Sequence, residues 1–263
     1  MLVEVPHAGL GLPAEVRALL AVNAEAVRRD ADAWVDALYR DAPAHGATLV
    51  AAELSRYVVD LNRAEGDVDE WAVTGAGAVG GEHPRGVVWR ESGEGRAALR
   101  RPLTRQEFEE RLARYHRPYH RALAAELARL RGEHRDVVLL AAHSMPSTGK
   151  TARGETVRRA DVVPGTRGKS TAARPLIDAV EQHFRAAGLS VRHDDPYRGG
   201  ATTARWGRAH EGFHAVQVEL NRDLYMDEES GDPRPERFAW LVGVCMGLVD
   251  RLTAVLDAGV LRR

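Results

Sequence analysis

The apolar positions of this chain fall into two rhythms. Apolar-rich runs at 2–5, 137–141 (Val-Val-Leu-Leu-Ala) and 213–220 predict strands, and the unalternated 137–141 reads as a central parallel one. The stretches 48–52 and 56–61 predict two further strands, and 190–193 a short one. Spacings of three and four predict helices between them. One covers 30–39, with Val35, Leu38 and Tyr39 on its apolar face, and another covers 104–131 through Phe108, Leu112, Tyr115, Tyr119, Leu123, Leu127 and Leu130. Pro118 should kink the second. Helices are also expected at 172–187, ended by Gly188, and at 238–256. Strands alternating with helices predict an α/β fold, and without internal repeats or a linker they predict one domain over 1–263. Residues 64–101 break both rhythms. They contain Gly75-Ala76-Gly77-Ala78-Val79-Gly80, but no strand leads into these glycines and no helix follows, so the expectation is a long loop, a candidate lid, rather than a nucleotide site.

Composition narrows the function. With 37 Lys and Arg against 38 Asp and Glu, the net charge of −1 provides no field for nucleic acid or an anionic membrane surface. The single Cys245 has no partner for an internal disulfide, which points to a reducing compartment, and its apolar surroundings predict a core residue rather than a nucleophile. The start of the chain has no basic stretch followed by an apolar one, and no apolar run is expected to span a membrane, so a cytoplasmic protein is expected.

Reactive side chains gather at the ends of the predicted strands. His7 follows the first strand and His143 leaves the most apolar one, where open α/β sheets place their ligand sites. Glu219 lies at the end of the run 213–220. The segment Ser55-Arg56-Tyr57-Val58-Val59-Asp60-Leu61-Asn62-Arg63 sets two arginines, an amide and a carboxylate on an apolar stretch, a set that is costly to bury unpaired. It suits either a structural ion-pair network or a fixed cluster of donors for an anionic substrate or oxyanion. Asp32 and Asp36, four apart on the predicted helix, repel one another unless a cation answers them. Two imidazoles and one carboxylate leave a fourth zinc position for water. His7, His143 and either Asp32 or Asp36 are therefore a candidate metal set, with Glu219 as base for an attacking water. A rival reading makes Ser144 a nucleophile beside His143, without the sharp Gly-x-Ser-x-Gly turn such a serine needs. His116 and His120 have no acidic residue on their helix face, which predicts a packing role.

The motifs Val5-Pro6-His7-Ala8-Gly9, Asp-x-Asp-x-x-Val-Asp-x-Leu-Tyr at 30–39, Ser-Arg-Tyr-Val-Val-Asp-Leu-Asn-Arg at 55–63, Pro118-Tyr119-His120, His143-Ser144-Met145-Pro146, Tyr197-Arg198-Gly199-Gly200 and Gln217-Val218-Glu219-Leu220 through Tyr225-Met226 follow one another along nearly the whole chain. As an ordered set they resemble the N-formylglutamate amidohydrolase family. The resemblance implies a three-layer α/β/α sandwich with a mixed, mainly parallel sheet, of the phosphorylase/hydrolase-like kind found in zinc carboxypeptidases and aspartoacylases. It implies hydrolysis of N-formyl-L-glutamate to formate and L-glutamate in histidine degradation, with a small N-acyl amino acid as the only expected partner. By the same resemblance one Zn2+, or another divalent metal ion in its place, is held by His7, His143 and Asp32 or Asp36, and Glu219 is the general base. Arg56 then faces the oxyanion, Asn62 and Arg63 take the substrate α-carboxylate, and Asp60 orients the arginines. Arg198, Arg205 and Arg153 are loop candidates for a side-chain carboxylate. The chain departs from the pattern at Leu10, where relatives carry a metal-binding Glu, at Trp34, where a His is expected, and at Ala201, where an aromatic is expected. The departure at Leu10 leaves the metal carboxylate between Asp32 and Asp36, and those at Trp34 and Ala201 bear on the substrate more than on the chemistry. The alternatives are a carboxypeptidase-like or aspartoacylase-like hydrolase of another N-acyl amino acid or peptide, and a non-catalytic amino-acid-binding paralogue.

Overall fold

A computed structural model describes residues 1–75, 85–151, 153–259 and 261, so most of the glycine run 75–80 and the middle of the expected lid lie outside the described residues. The chain forms two compact units, each assembled from separate stretches. One comprises Met1–Val5, Trp34–Val50 and Leu127–Arg263, the other Pro6–Ala33 and Ala51–Glu126.

The first unit is organised by strands β1 (Leu2–Val5), β2 (Thr48–Ala51), β3 (Val137–Met145), β6 (Val162–Gly165) and β7 (Phe213–Asn221), while β4 (Thr148–Lys150) and β5 (Thr156–Arg158) form a separate antiparallel pair. The five-stranded order is β2-β1-β3-β7-β6. β1 runs parallel to β3 and β3 parallel to β7, whereas β6 is antiparallel to β7. Every residue of β1 and β3 is buried, as is all of β7 after Phe213. Covering on both faces is what removes the polar alternation from 137–141, and the polar Glu4, His214, Gln217 and Glu219 of the other two strands are buried. Pro164 lies in the edge strand β6, where a missing N–H costs no central ladder bond. The fold is α/β with a mixed, mainly parallel sheet and flanking helices, as expected.

Eight α-helices are found among the described residues: α1 (Ala14–Leu19), α2 (Ala24–Asp30), α3 (Val35–Leu38), α4 (Arg105–Arg111), α5 (Arg117–Glu133), α6 (Arg174–Ala186), α7 (Ala201–Trp206) and α8 (Pro235–Asp257). α6 buries Leu176, Ile177, Val180 and Phe184 at helical spacing, and Gly188 follows its end with φ +80°. α8 corrects one expectation, since by length and composition it is the one described helix able to cross a membrane. It packs on α6 and α3 and buries Leu241, Cys245, Leu248 and Leu252. Cys245 is a core residue, and burial pushes its thiol pKa up to about 12.

The second unit has little regular structure beyond α1, α2, α4 and the start of α5, and it is held by two apolar clusters. One gathers Val59, Leu61, Val87, Leu103, Phe108 and Leu112, and the other gathers Val16, Val27, Tyr57, Val58 and Trp89. The loop 64–101 therefore contributes core residues despite its lack of periodicity.

Several predicted elements are corrected. The expected strand at 56–61 is a buried turn, closed by Val58 N–H to Ser55 O (2.8 Å) and fixed by Asp60 N–H to Val87 O (2.8 Å). Buried Arg111 of α4 donates to the carbonyls of Tyr57 and Val58, at 3.3 and 3.1 Å. The β-branched content of the stretch reported burial, and partners outside any ladder satisfy its backbone. The helix expected over 30–39 is broken: α2 ends at Asp30, Asp32 N–H bonds to His7 O (3.0 Å), and Trp34 takes φ +68° before α3 begins. Asp32 and Asp36 consequently do not share a helix face. The long helix at 104–131 is interrupted by a π-helical turn, Leu112–His116, which ends two residues before Pro118. The strand expected at 190–193 reduces to a single bridge between Val191 and Val162.

Candidate functional site

The turn at 55–63 delivers Asp60 into a fully buried position, where five donors meet its carboxylate. Oδ1 accepts from His7 Nε2 (2.7 Å) and Asn62 N–H (2.9 Å). Oδ2 accepts from Arg56 Nε (3.2 Å), Arg56 Nη2 (2.8 Å) and Trp89 Nε1 (2.9 Å). Burial alone raises its pKa, but Arg56 and His7 prevail and hold it well below the usual carboxylate range. An ionised carboxylate can only accept, so the proton of the His7–Asp60 bond sits on Nε2. His7 then turns Nδ1 toward Asp32, whose Oδ2 lies 3.5 Å away. In neutral His7 that nitrogen is a lone pair facing a second acceptor, an arrangement that calls for a cation between them. In the protein alone a proton serves. Burial and Arg56 depress the His7 pKa, yet Asp60 and Asp32 outweigh them and leave it raised. A metal ion suits the same position, with Asp60 in the role of the carboxylate that orients a ligating histidine.

Arg56 is held in place from several sides. Besides Asp60, it lies 4.3 Å over the Trp89 ring, and its Nη1 is 3.9 Å from Asp32 Oδ1. Trp89 is fixed in turn by an edge contact with Tyr57 (5.5 Å), whose hydroxyl bonds Asp30. Asp60 thus orients Arg56, as expected, and also His7 and Trp89. Arg63 is half-exposed and its nearest carboxylate is Asp67 at 3.7 Å, while its carbonyl accepts from His116 Nε2 (2.9 Å). Asp36 is exposed on α3.

In the sheet, His143 of β3 and Glu219 of β7 stand in register on neighbouring strands, so their side chains leave the same face. Both are buried. Gln217, two residues before Glu219 and therefore also on that face, donates from Nε2 to Glu219 Oε1 (2.8 Å). Ser144 points to the opposite face from His143 and its hydroxyl accepts from Arg222 Nε (3.2 Å). That geometry removes the serine-nucleophile reading. Arg198, Arg205 and Arg153 are all exposed. Trp34 donates from Nε1 to Gly231 O (2.9 Å) and packs edge-on to Phe238.

Sequence reasoning missed Trp89, the link from Asp60 to His7, and Gln217. Trp89 lies in an aperiodic loop and left no pattern to read. Gln217 was legible, since a period of two places it beside Glu219.

The family model described as N-formylglutamate amidohydrolase matches residues 1–226. The N-formylglutamate deformylase of Pseudomonas aeruginosa is 34% identical over 234 residues, covering 88% of this chain and 83% of that protein. The N-formylglutamate deformylase of Pseudomonas putida is 32% identical over 237 residues, covering 87% and 82%. A crystal structure of N-formylglutamate amidohydrolase from Ralstonia eutropha superposes with a TM-score of 0.89 at 32% identity, over 98% of this chain and 94% of that one. A gene product of Agrobacterium tumefaciens, 22% identical with a TM-score of 0.71, shares the fold. The chain belongs to the N-formylglutamate amidohydrolase family, a family of hydrolases.

Proposed function

We propose that this protein is a zinc-dependent cytoplasmic amidohydrolase that cleaves N-formyl-L-glutamate, or a closely similar N-acyl acidic amino acid, to formate and L-glutamate in histidine degradation. The observation that carries the metal assignment is the pairing of His7 with two carboxylates, Asp60 at Nε2 and Asp32 at Nδ1. His7, Asp32 and His143 are buried and each offers one ligand atom. Two imidazoles and a carboxylate form the donor set of a catalytic zinc site, and a bound zinc ion supplies Lewis acidity and a water of lowered pKa.

The side chains divide the remaining work. Glu219 takes the proton of the attacking water and returns it to the leaving amine. Arg56, locked by Asp60 and Trp89, offers positive charge to the developing oxyanion at no cost in reorganisation. Asn62 and Arg63 receive the α-carboxylate, and Arg198 is the loop candidate for the side-chain carboxylate. Asp36 is dropped as a ligand because it is exposed outside this cluster.

A substrate panel tests the specificity. Formate release from N-formyl-L-glutamate is expected to exceed acetate release from N-acetyl-L-glutamate or N-acetyl-L-aspartate, and amino-acid release from a dipeptide, by about a hundredfold in kcat/KM, the scale on which a closed acyl pocket rejects one extra methyl group. Preference for an acetylated substrate or a peptide would move the protein to the aspartoacylase-like or carboxypeptidase-like reading. No turnover of any of them, by metal-loaded protein, would favour the non-catalytic one.

A further inference from the structure

Gln217 connects the residue read above as the base to a glycine-rich loop. It is buried on β7 and its amide makes two directed bonds: Nε2 donates to Glu219 Oε1 (2.8 Å) and Oε1 accepts from Gly200 N–H (2.8 Å). The two ends fix the amide orientation, since a flip would set carbonyl against carboxylate and NH2 against N–H. The loop that brings Gly200 to this position is itself closely packed. Gly165, paired with Gln217 across β6 and β7, has no room for a Cβ, which would lie 2.7 Å from Gly199 N and 2.9 Å from Arg198 C. Gly199 takes φ +101°, and a Cβ there would meet Thr203 Cγ2 at 2.9 Å. Arg167 N–H and Nη1 close the loop from the other side, bonding the carbonyls of Arg198 (2.7 Å) and Gly199 (3.0 Å). These contacts leave the loop little freedom, and Gln217 transmits its position to Glu219.

We infer that Gln217 is a positioning residue: anchored by Gly200, it holds the Glu219 carboxylate in the orientation that accepts a proton from water. This inference rests on the reading of Glu219 as base, and a double-mutant cycle separates the two. Gln217→Met, close in shape but without the amide, is compared with wild type, with Glu219→Gln and with the double variant. The readouts are metal content, melting temperature, kcat and KM for N-formyl-L-glutamate. Loss of an outer hydrogen-bond partner of this kind is expected to lower kcat about tenfold to a hundredfold. KM should stay within about twofold and metal content should not change. In the Glu219→Gln background the same substitution should cost nothing further, because Gln217 acts through the proton acceptor already removed. Gln217→Asn keeps the amide but is one methylene too short to span both partners, so it should show the same split if Gln217→Met folds poorly. An equal loss in both backgrounds, no loss at all, or a change confined to KM overturns the positioning role while leaving Glu219 as base. Wild-type turnover by Glu219→Gln overturns the base assignment and this inference with it.

Discussion

Glu219→Gln is expected to lower kcat on the order of a thousandfold while metal content stays at the wild-type level. The substitution keeps size and keeps an oxygen to accept from Gln217 Nε2, which now bonds the carboxylate at 2.8 Å, so β7 and its register with His143 have no reason to shift. What is lost is the capacity to take a proton. General acid–base contributions run from about a hundredfold to ten-thousandfold, and a thousandfold corresponds to about 4 kcal/mol of transition-state stabilisation. The loss should fall on kcat and kcat/KM alike, because the interaction is made only as the proton moves. A variant with more than a tenth of wild-type kcat would leave Glu219 a structural carboxylate.

The second large effect separates Asp32 from Asp36. Asp32→Ala removes the acceptor that faces His7 Nδ1 and should weaken zinc binding by more than about a hundredfold, since even an outer-shell partner is worth about tenfold to a hundredfold. Activity should fall with the metal and return only in part at high zinc. Asp36→Ala should bind zinc and turn over substrate as wild type does, because its carboxylate is exposed on α3. Zinc loss from Asp36→Ala, with zinc retained by Asp32→Ala, would reverse the assignment. Equilibrium dialysis with metal quantification decides between them.

Four strands of the sheet were legible in the sequence: burial on both faces leaves the unbroken apolar run of β3, and β1, β2 and β7 sit where apolar-rich runs predict them, whereas β6, a short Val-Val-Pro-Gly inside a polar, glycine-rich stretch, left no strand pattern to read. His143 and Glu219 could be found for the same reason: polar residues at the end of such a run stand out. The 55–63 segment misled, since Val58, Val59 and Leu61 are buried by side chains from α1, α2, α4 and the 64–101 loop and not by neighbouring strands. No local pattern encodes the hydrogen bond from Asp32 N–H to His7 O that breaks the 30–39 helix. That same long-range contact brings Asp32 to His7, so the sequence alone kept both Asp32 and Asp36 as candidates. Asp60 stood out as a carboxylate on an apolar stretch, but its bond to His7, 53 residues away, is purely tertiary.

The central claim is that a zinc ion held by His7, Asp32 and His143 is needed to release formate from N-formyl-L-glutamate. Metal quantification on the purified protein, with formate release followed before chelation, after it and after zinc is restored, tests that claim most directly. The expected result is about one zinc per chain, formate release lost on chelation, and activity recovered with stoichiometric zinc. Protein that holds no metal and releases formate at an undiminished rate in chelator would contradict it.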